Sequence, residues 1–255
     1  MLDFTALILT LNEEENIARC LGALSWASEV LVVDSGSTDD TLAIAKSVKP
    51  NVQIKLRAFD THAAQWNFGL DQVRTAWVLA LDADYRLTDE MAREILQLEP
   101  TDETTGYEAE FVYCVGGKPL RVSLYPPHTV LFRKEQSRYV DEGHTQVLRL
   151  SGKIDRLSSR IFHDDRKSMG RWIRSQEKYS KIEARHLLST ATEQLNWADR
   201  LRKLIFFAPG VVFFYLLVGK GLIFDGWRGW FYVCQRTIAE MLLSLRLITE
   251  RWARD

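Results

Sequence analysis

The chain of 255 residues is 46% hydrophobic and 26% charged, enough for one large α/β domain with an appendage, or for two small domains, around a packed core. A formal net charge of -1 argues against nucleic acid as the main partner. Near-neutrality hides an asymmetry: residues 1–100 are acidic on balance, and the stretch from Arg156 to Lys203 is rich in Arg and Lys and should form a basic surface.

Phe4 to Thr10 is an apolar run of strand formers followed by Asn12-Glu13-Glu14-Glu15-Asn16. It reads as a buried strand leading into a helix whose first turn carries carboxylates, where the helix dipole favours them. Ile17, Leu21 and Leu24 recur at helical spacing. Glu29 to Asp34 is a second buried strand, ending in Ser35-Gly36-Ser37-Thr38-Asp39-Asp40, and Thr38 is placed to cap a helix that stops before Pro50. Val52 to Leu56 reads as a third strand, Ala63 to Arg74 as a helix, and Trp77 to Leu81 as a fourth strand ending on Asp82-Ala83-Asp84. Alternating helices and continuously apolar strands predict a parallel sheet covered on both faces. Ligands of such sheets sit beyond the carboxyl ends of the strands, where Thr10-Leu11-Asn12, Asp34-Ser35-Gly36 and Asp82-Ala83-Asp84 cluster here. Past Pro100 the pattern weakens to strands at Tyr107–Val115 and Thr129–Arg133, with a turn at Gly116-Gly117-Lys118-Pro119 between them. From Ser168 the chain turns helical.

The three cysteines, Cys20, Cys114 and Cys234, are distant and odd in number. They form no disulfide framework and no C-x-x-C pair, which fits a reducing compartment. Met1-Leu2-Asp3-Phe4 carries neither a basic n-region nor an apolar h-region, so the expected location is the cytoplasm.

Asp82-x-Asp84 is the sharpest chemical feature. Two carboxylates one residue apart on a sheet rim are costly unless a cation meets them, and hard oxygen ligands suit Mg²⁺ or Mn²⁺ bridging to a diphosphate. A solvated turn is the competing reading. Asp34 is placed to accept from a ribose hydroxyl or a uracil N–H, and Gly36 allows close backbone approach. A helix-capping loop would use the same residues.

The segments LTLNEEENIARCL, VLVVDSGSTDDTLAIA, AAQWNFGLDQV and WVLALDADYRLTDE resemble, in order and spacing, the motifs of the family 2 inverting glycosyltransferases. The resemblance covers about the first 90 residues of the chain. It implies the GT-A fold, a Rossmann-like, mostly parallel sheet with flanking helices and a D-x-D metal site. Residue by residue, it implies that Leu11, Asn12 and Glu13 line the nucleotide pocket and that Asp34 holds the base or ribose. Gln65 and Asn67 would lie near the nucleotide or donor, and Asp82 and Asp84 would serve ribose, diphosphate and metal. The family's general base is usually a carboxylate of the second half. In Tyr139-Val140-Asp141-Glu142-Gly143-His144 the candidates are Glu142 and Asp141, with Glu142 preferred; an exposed acidic turn is the alternative. His163 is the candidate for an extra metal ligand, and Arg166 and Lys167 for neutralising the leaving diphosphate. His62, His128 and His186 have no comparable context and read as structural.

Leu204 to Val218 is almost purely apolar but falls short of the roughly 20 residues a spanning helix needs, and Pro209-Gly210 interrupts it. Arg200, Arg202, Lys203 and Lys220 flank it, with Trp197, Trp227 and Trp230 nearby, a pattern that suits the membrane interface. Met241, Leu242, Leu245 and Ile248 then read as an amphipathic helix. A buried hairpin or a homo-oligomer interface would use the same residues. YVDEGHTQ and HDDRKSMGRWIRSQEKYS are similar to lipopolysaccharide core glucosyltransferases, which add glucose to inner-core heptose.

These readings combine into an α/β GT-A catalytic domain over 1–165 and a helical, apolar C-terminal region over 166–255. The expected activity is inverting, metal-dependent transfer of a hexose, glucose from UDP-glucose, onto a lipid-anchored lipopolysaccharide core sugar. The enzyme would sit peripherally on the cytoplasmic face of the inner membrane. Transfer to a polyprenyl phosphate is one rival reading; a non-catalytic sugar-nucleotide-binding protein is another, and the presence of both Asp82 and Asp84 argues against it.

Overall fold

A computed structural model describes residues 2–122, 126–142 and 145–252, with the backbone alone for Glu142, Thr145 and Trp252. The chain forms two compact units, one of Met1–Pro119 with Ser123–Arg166, the other of Leu120–Val122 with Lys167–Asp255.

In the first unit the elements run β1 (Phe4–Thr10), α1 (Ile17–Gly22), β2 (Glu29–Asp34), α2 (Thr41–Val48), β3 (Gln53–Leu56), α3 (His62–Gln72), β4 (Trp77–Asp82), β5 (Tyr85–Arg86) and α4 (Asp89–Leu96). There follow β6 (Thr104–Val115), β7 (Lys118–Pro119), β8 (His128–Arg133), β9 (Ser137–Glu142), β10 (Thr145–Leu150) and β11 (Lys153–His163). The main sheet has the order β3-β2-β1-β4-β8-β6-β11-β5, with β7 paired to β6. The strands β3, β2, β1 and β4 are parallel, as the alternation of apolar runs and helices implies, and β8 enters antiparallel between β4 and β6. The hairpin β9–β10 stands apart as a two-stranded sheet.

Successive residues of β1 serve opposite faces. Ala6 and Ile8 join a core with Ile17 and Leu21 of α1, while Leu7 joins Trp66 and Leu70 of α3. Gly69 allows that second contact: a Cβ there would lie 2.7 Å from Leu7 Cδ1. On the face that also carries α1, Glu94 of α4 accepts from the backbone N–H groups of Ser158 (2.7 Å) and Ser159 (2.9 Å), where β11 carries extra residues against β6. The carboxylate satisfies donors that the irregular ladder leaves unpaired.

Two local expectations change. The acidic run after β1 lies outside the helix: α1 begins at Ile17, and Glu13 precedes it in a turn whose carbonyl accepts from Asn16 N (2.9 Å) and Ile17 N (2.8 Å). Thr38 does not cap α2, which begins at Thr41. Its N–H instead donates to Asn12 Oδ1, because the loops after β1 and β2 are stitched to each other.

In the second unit the helices are α5 (Met169–Ser189), α6 (Trp197–Arg202), α7 (Ala208–Phe214) and α8 (Gly226–Trp252). Their core contains Ala184, Leu187, Leu195, Ile205, Leu243 and Leu247. Beside it, Arg202 reaches Glu183 (3.0 Å), Asp199 (3.1 Å) and Glu240 (3.0 Å), so its half-buried charge is fully countered.

Candidate functional site

The parallel register sets Thr10 of β1 beside Asp34 of β2, and Leu9 beside Asp82 of β4, so the polar residues that follow these strands gather on one rim. Asn12 has a left-handed φ of 55°, which asparagine tolerates better than most residues. There its N–H donates to Ser37 Oγ (2.7 Å) and its Oδ1 accepts from Thr38 N (2.7 Å). The N–H of Glu13 donates to Thr41 Oγ1 (2.6 Å). Leu11, just before Asn12, is exposed at the rim.

Asp34 is wholly buried rather than open to a ligand. Its Oδ1 accepts from Gly36 N (2.9 Å) and Ser37 N (2.8 Å), and its Oδ2 from the Ser37 hydroxyl. In this geometry the carboxylate shapes the loop, in the manner of an Asx turn. Gln65 is equally enclosed, donating to Ser35 Oγ (2.8 Å) and Arg57 O (2.9 Å) and accepting from Arg57 (2.6 Å). The motifs after β2, after β3 and on α3 are thereby locked together.

Asn67 is engaged with the backbone of β9. Its amide accepts from Tyr139 N (2.9 Å) and donates to Tyr139 O (2.8 Å), docking β9 on α3. Beside it the Trp66 and Tyr139 rings stack at 5.3 Å. Asp141, two residues along β9, is exposed and lies 3.4 Å from Ala63 N at the start of α3. The side chain of Glu142, and Gly143 and His144, lie outside the described residues. Replacing Asn67 by alanine leaves both backbone groups of Tyr139 without this partner. The expected cost is about 1–3 kcal/mol in a denaturant melt. Sugar transfer should fall while UDP affinity holds, because the hairpin moves and the β1–β2 loops do not.

The sharpest convergence joins residues 79 positions apart. His163, at the end of β11, pairs in register with Tyr85 of β5. That places its Nε2 3.2 Å from Oδ2 of Asp84, with both side chains largely buried. Burial works against the imidazolium, but Asp84, then Asp165 and Asp82, outweigh it and hold the His163 pKa above the ordinary histidine range. The same concentration of negative charge acts on Cys20, whose thiol is pushed far up by burial and then by Asp84, Asp82 and Glu13. The donor set fits a divalent cation. Adjacent ligands of an octahedral ion with bonds of about 2.1 Å stand roughly 3 Å apart, which is the spacing of this pair, and carboxylate with imidazole suits Mn²⁺ or Mg²⁺. Tyr85 and Tyr113 stand edge-on to the His163 ring at 5.4 and 4.9 Å and fix its plane.

Arg166 does not point its charge at an open rim. Its guanidinium meets the buried Asp164 fork to fork at 2.8 and 3.1 Å, which raises its pKa first through that bond. A neighbour that the sequence had suggested only as part of a helix start organises this corner. Asn16, 1% exposed, donates to Glu13 Oε2 (2.8 Å) and Asp165 Oδ1 (3.1 Å). Its Oδ1 accepts from Arg19 (2.7 Å) and from Arg166 N (2.9 Å). Arg19 also donates to Asp164 O (2.9 Å). Asn16 thus ties the β1 motif to the segment after His163, a link across about 150 positions that no local pattern signals.

Comparison with known proteins decides the family. The model for "Glycosyl transferase family 2" matches residues 5–146. The chain belongs to that family. As a family 2 glycosyltransferase it is 28% identical over 242 residues to the lipopolysaccharide core biosynthesis glycosyltransferase LpsC of Rhizobium meliloti, covering 89% of this chain and 83% of that one. It is 27% identical to an uncharacterised glycosyltransferase of Rickettsia conorii, covering 76% and 73% of the two chains. In fold it is similar to the S. aureus TarS 1–349 structure in complex with UDP-GlcNAc, at a TM-score of 0.51 and 16% identity, over 94% of this chain and 82% of that one. The architecture is the GT-A fold that the four motifs implied.

Proposed function

We propose that this family 2 glycosyltransferase inverts the anomeric centre as it moves glucose from UDP-glucose onto an inner-core heptose of lipopolysaccharide. The acceptor's lipid anchor would place the reaction at the cytoplasmic face of the inner membrane. The observation that carries this reading is the Asp84–His163 pair beside Asp82, on the rim where the β1 and β2 loops interlock. The similarity to LpsC over most of both chains supports the acceptor class.

The loops held by Asn12, Glu13 and Asp34 cradle the nucleoside, with the backbone around Gly36 close to it. Asp82 faces the ribose and diphosphate, and Asp84 with His163 would hold Mg²⁺ or Mn²⁺. When bound, the ion supplies positive charge against the developing UDP leaving group. The acceptor hydroxyl attacks the anomeric carbon from the face opposite the diphosphate. The bond from that carbon to the diphosphate oxygen breaks, and Glu142 takes the hydroxyl proton, with Asp141 the alternative base. Arg166, held by Asp164, contributes through position at the edge of the site.

The test is direct. Purified full-length protein is incubated with a panel of nucleotide sugars and truncated lipopolysaccharides, and products are read by mass. Gain of one hexose, from UDP-glucose only and only on cores ending in heptose, is the expected result. Transfer to a polyprenyl phosphate instead would replace the acceptor assignment. Donor binding with neither transfer nor hydrolysis would leave a sugar-nucleotide-binding protein.

A further inference from the structure

The second unit exposes an apolar surface that its own core does not use. Phe206, Phe207, Phe214, Val218, Phe224 and Trp227 are each at least 60% exposed. They belong to a short, sharply bent stretch. The helical run Ala208–Gly219 and the run Leu222–Arg251 meet at a bend of 70°. Gly221, with φ 69°, and Gly226, with φ 57°, turn the chain on either side of the short Leu222–Asp225 helix. Gly229 lets α8 start hard against that turn, since a Cβ there would lie 1.8 Å from the Leu222 carbonyl oxygen. Among the described residues no single helix is long and apolar enough to cross a membrane. At 1.5 Å per residue the arm Ala208–Gly219 is about 18 Å long, against the roughly 30 Å of a hydrocarbon core. Its length suits entry and return rather than crossing.

The cations divide by location. Elsewhere in the second unit Arg202 pairs with Glu183, Asp199 and Glu240, and Arg246 with Glu177, while at the bend Asp225 is already held by Arg121, which also lies over the Phe224 ring at 5.6 Å. At the apolar bend Lys220 lies over the Tyr215 ring at 5.3 Å and Arg228 over the Trp227 ring at 4.6 Å. Neither they nor Arg236, farther along α8, have a carboxylate partner among the described residues. Aromatic side chains with cations beside them and no internal counter-charge match the boundary between acyl chains and anionic headgroups. A protein partner would have to supply an apolar pocket and acidic groups together, whereas an anionic lipid surface offers both over any area.

We propose that the bend between α7 and α8 is a wedge that enters one leaflet of an anionic bilayer, with Phe224 and Trp227 in the acyl region and Lys220, Arg228 and Arg236 against lipid phosphates. This deepens the peripheral membrane placement proposed above and rests on it.

Vesicle flotation of the full-length protein tests the wedge. Wild type should bind phosphatidylglycerol–phosphatidylcholine vesicles about a hundredfold more tightly than phosphatidylcholine alone, since three basic residues near such a surface each contribute several-fold. The triple variant Lys220→Gln, Arg228→Gln, Arg236→Gln should lose that preference. Lys220→Arg, Arg228→Lys, Arg236→Lys, which preserves charge, should keep it, and this separates electrostatics from misfolding. Phe224→Asp with Trp227→Asp should lose binding to both vesicle types. High salt should release the wild type only in part, because the apolar contact is not screened. Equal wild-type affinity for both vesicle types would overturn the headgroup contact while leaving peripheral placement intact. No binding to either, with a dimer in sedimentation that Ile238→Asp and Met241→Asp dissociate, would overturn both and give the surface to a second copy of the chain.

Discussion

Replacing Asp84 by alanine is expected to cut sugar transfer by about 10²–10³-fold while the protein remains folded, because it removes charge aimed at the site where the leaving diphosphate must be neutralised. The fold should survive for a local reason. Asp84 stands at a turn between β4 and β5, and its side chain meets His163 rather than the hydrophobic core. Losing it relieves the crowd of carboxylates around Cys20 and leaves His163 with Asp165 and Asp82 as neighbouring charges. Dialysis against EDTA should produce the same loss in wild type, and Mn²⁺ or Mg²⁺ should restore activity there but not in Asp84→Ala. Mn²⁺ binding, followed by titration calorimetry without donor, should weaken in Asp84→Ala and in His163→Ala. Full turnover by dialysed wild type in chelator would remove the metal from the proposal.

Glu142→Gln should lower turnover by about 10²–10⁴-fold and leave UDP binding near normal, as expected for loss of a general base without loss of donor contacts. The contrasting variant is Asp34→Ala. Its buried carboxylate holds Gly36 and Ser37 in place, so its removal should weaken UDP binding itself by releasing the loop that approaches the nucleotide. Measured together, the pair separates chemistry from binding. Asp141→Asn is the necessary companion, since Asp141 is exposed on the same strand, near the start of α3. Loss in Asp141→Asn with wild-type turnover in Glu142→Gln would move the base by one residue. Wild-type turnover in both would place it outside the β9–β10 hairpin.

These predictions draw on two kinds of information. The parallel core was legible because strands buried on both faces must be continuously apolar, and Phe4–Thr10, Glu29–Asp34 and Trp77–Asp82 are written that way. The rim was legible for the same reason: a polar residue directly after such a run, as at Asn12, Asp34 or Asp82, stands at a strand's carboxyl end wherever the helices fall. Composition likewise marked the second unit's surface, because Phe206, Phe207 and Phe214 find no place in its core.

Which partner each polar side chain at the rim holds was decided by the tertiary structure, in some cases far along the chain and in others within its own loop. Asn67, expected near the nucleotide or donor, clamps the backbone of Tyr139, 72 positions away. Asp34, read as an acceptor for base or ribose, accepts from the N–H groups of its own loop. Arg166 looked like a free cation and is matched to Asp164. Asn16 was marked only as part of a helix start, since its partners at Asp165 and Arg166 arrive only when β11 crosses the sheet beside β6. Periodicity records which face of an element is apolar, because burial of a face repeats along the chain. A polar side chain's hydrogen bonds do not repeat, and which donor meets which acceptor is decided only when the strands take their order in the sheet.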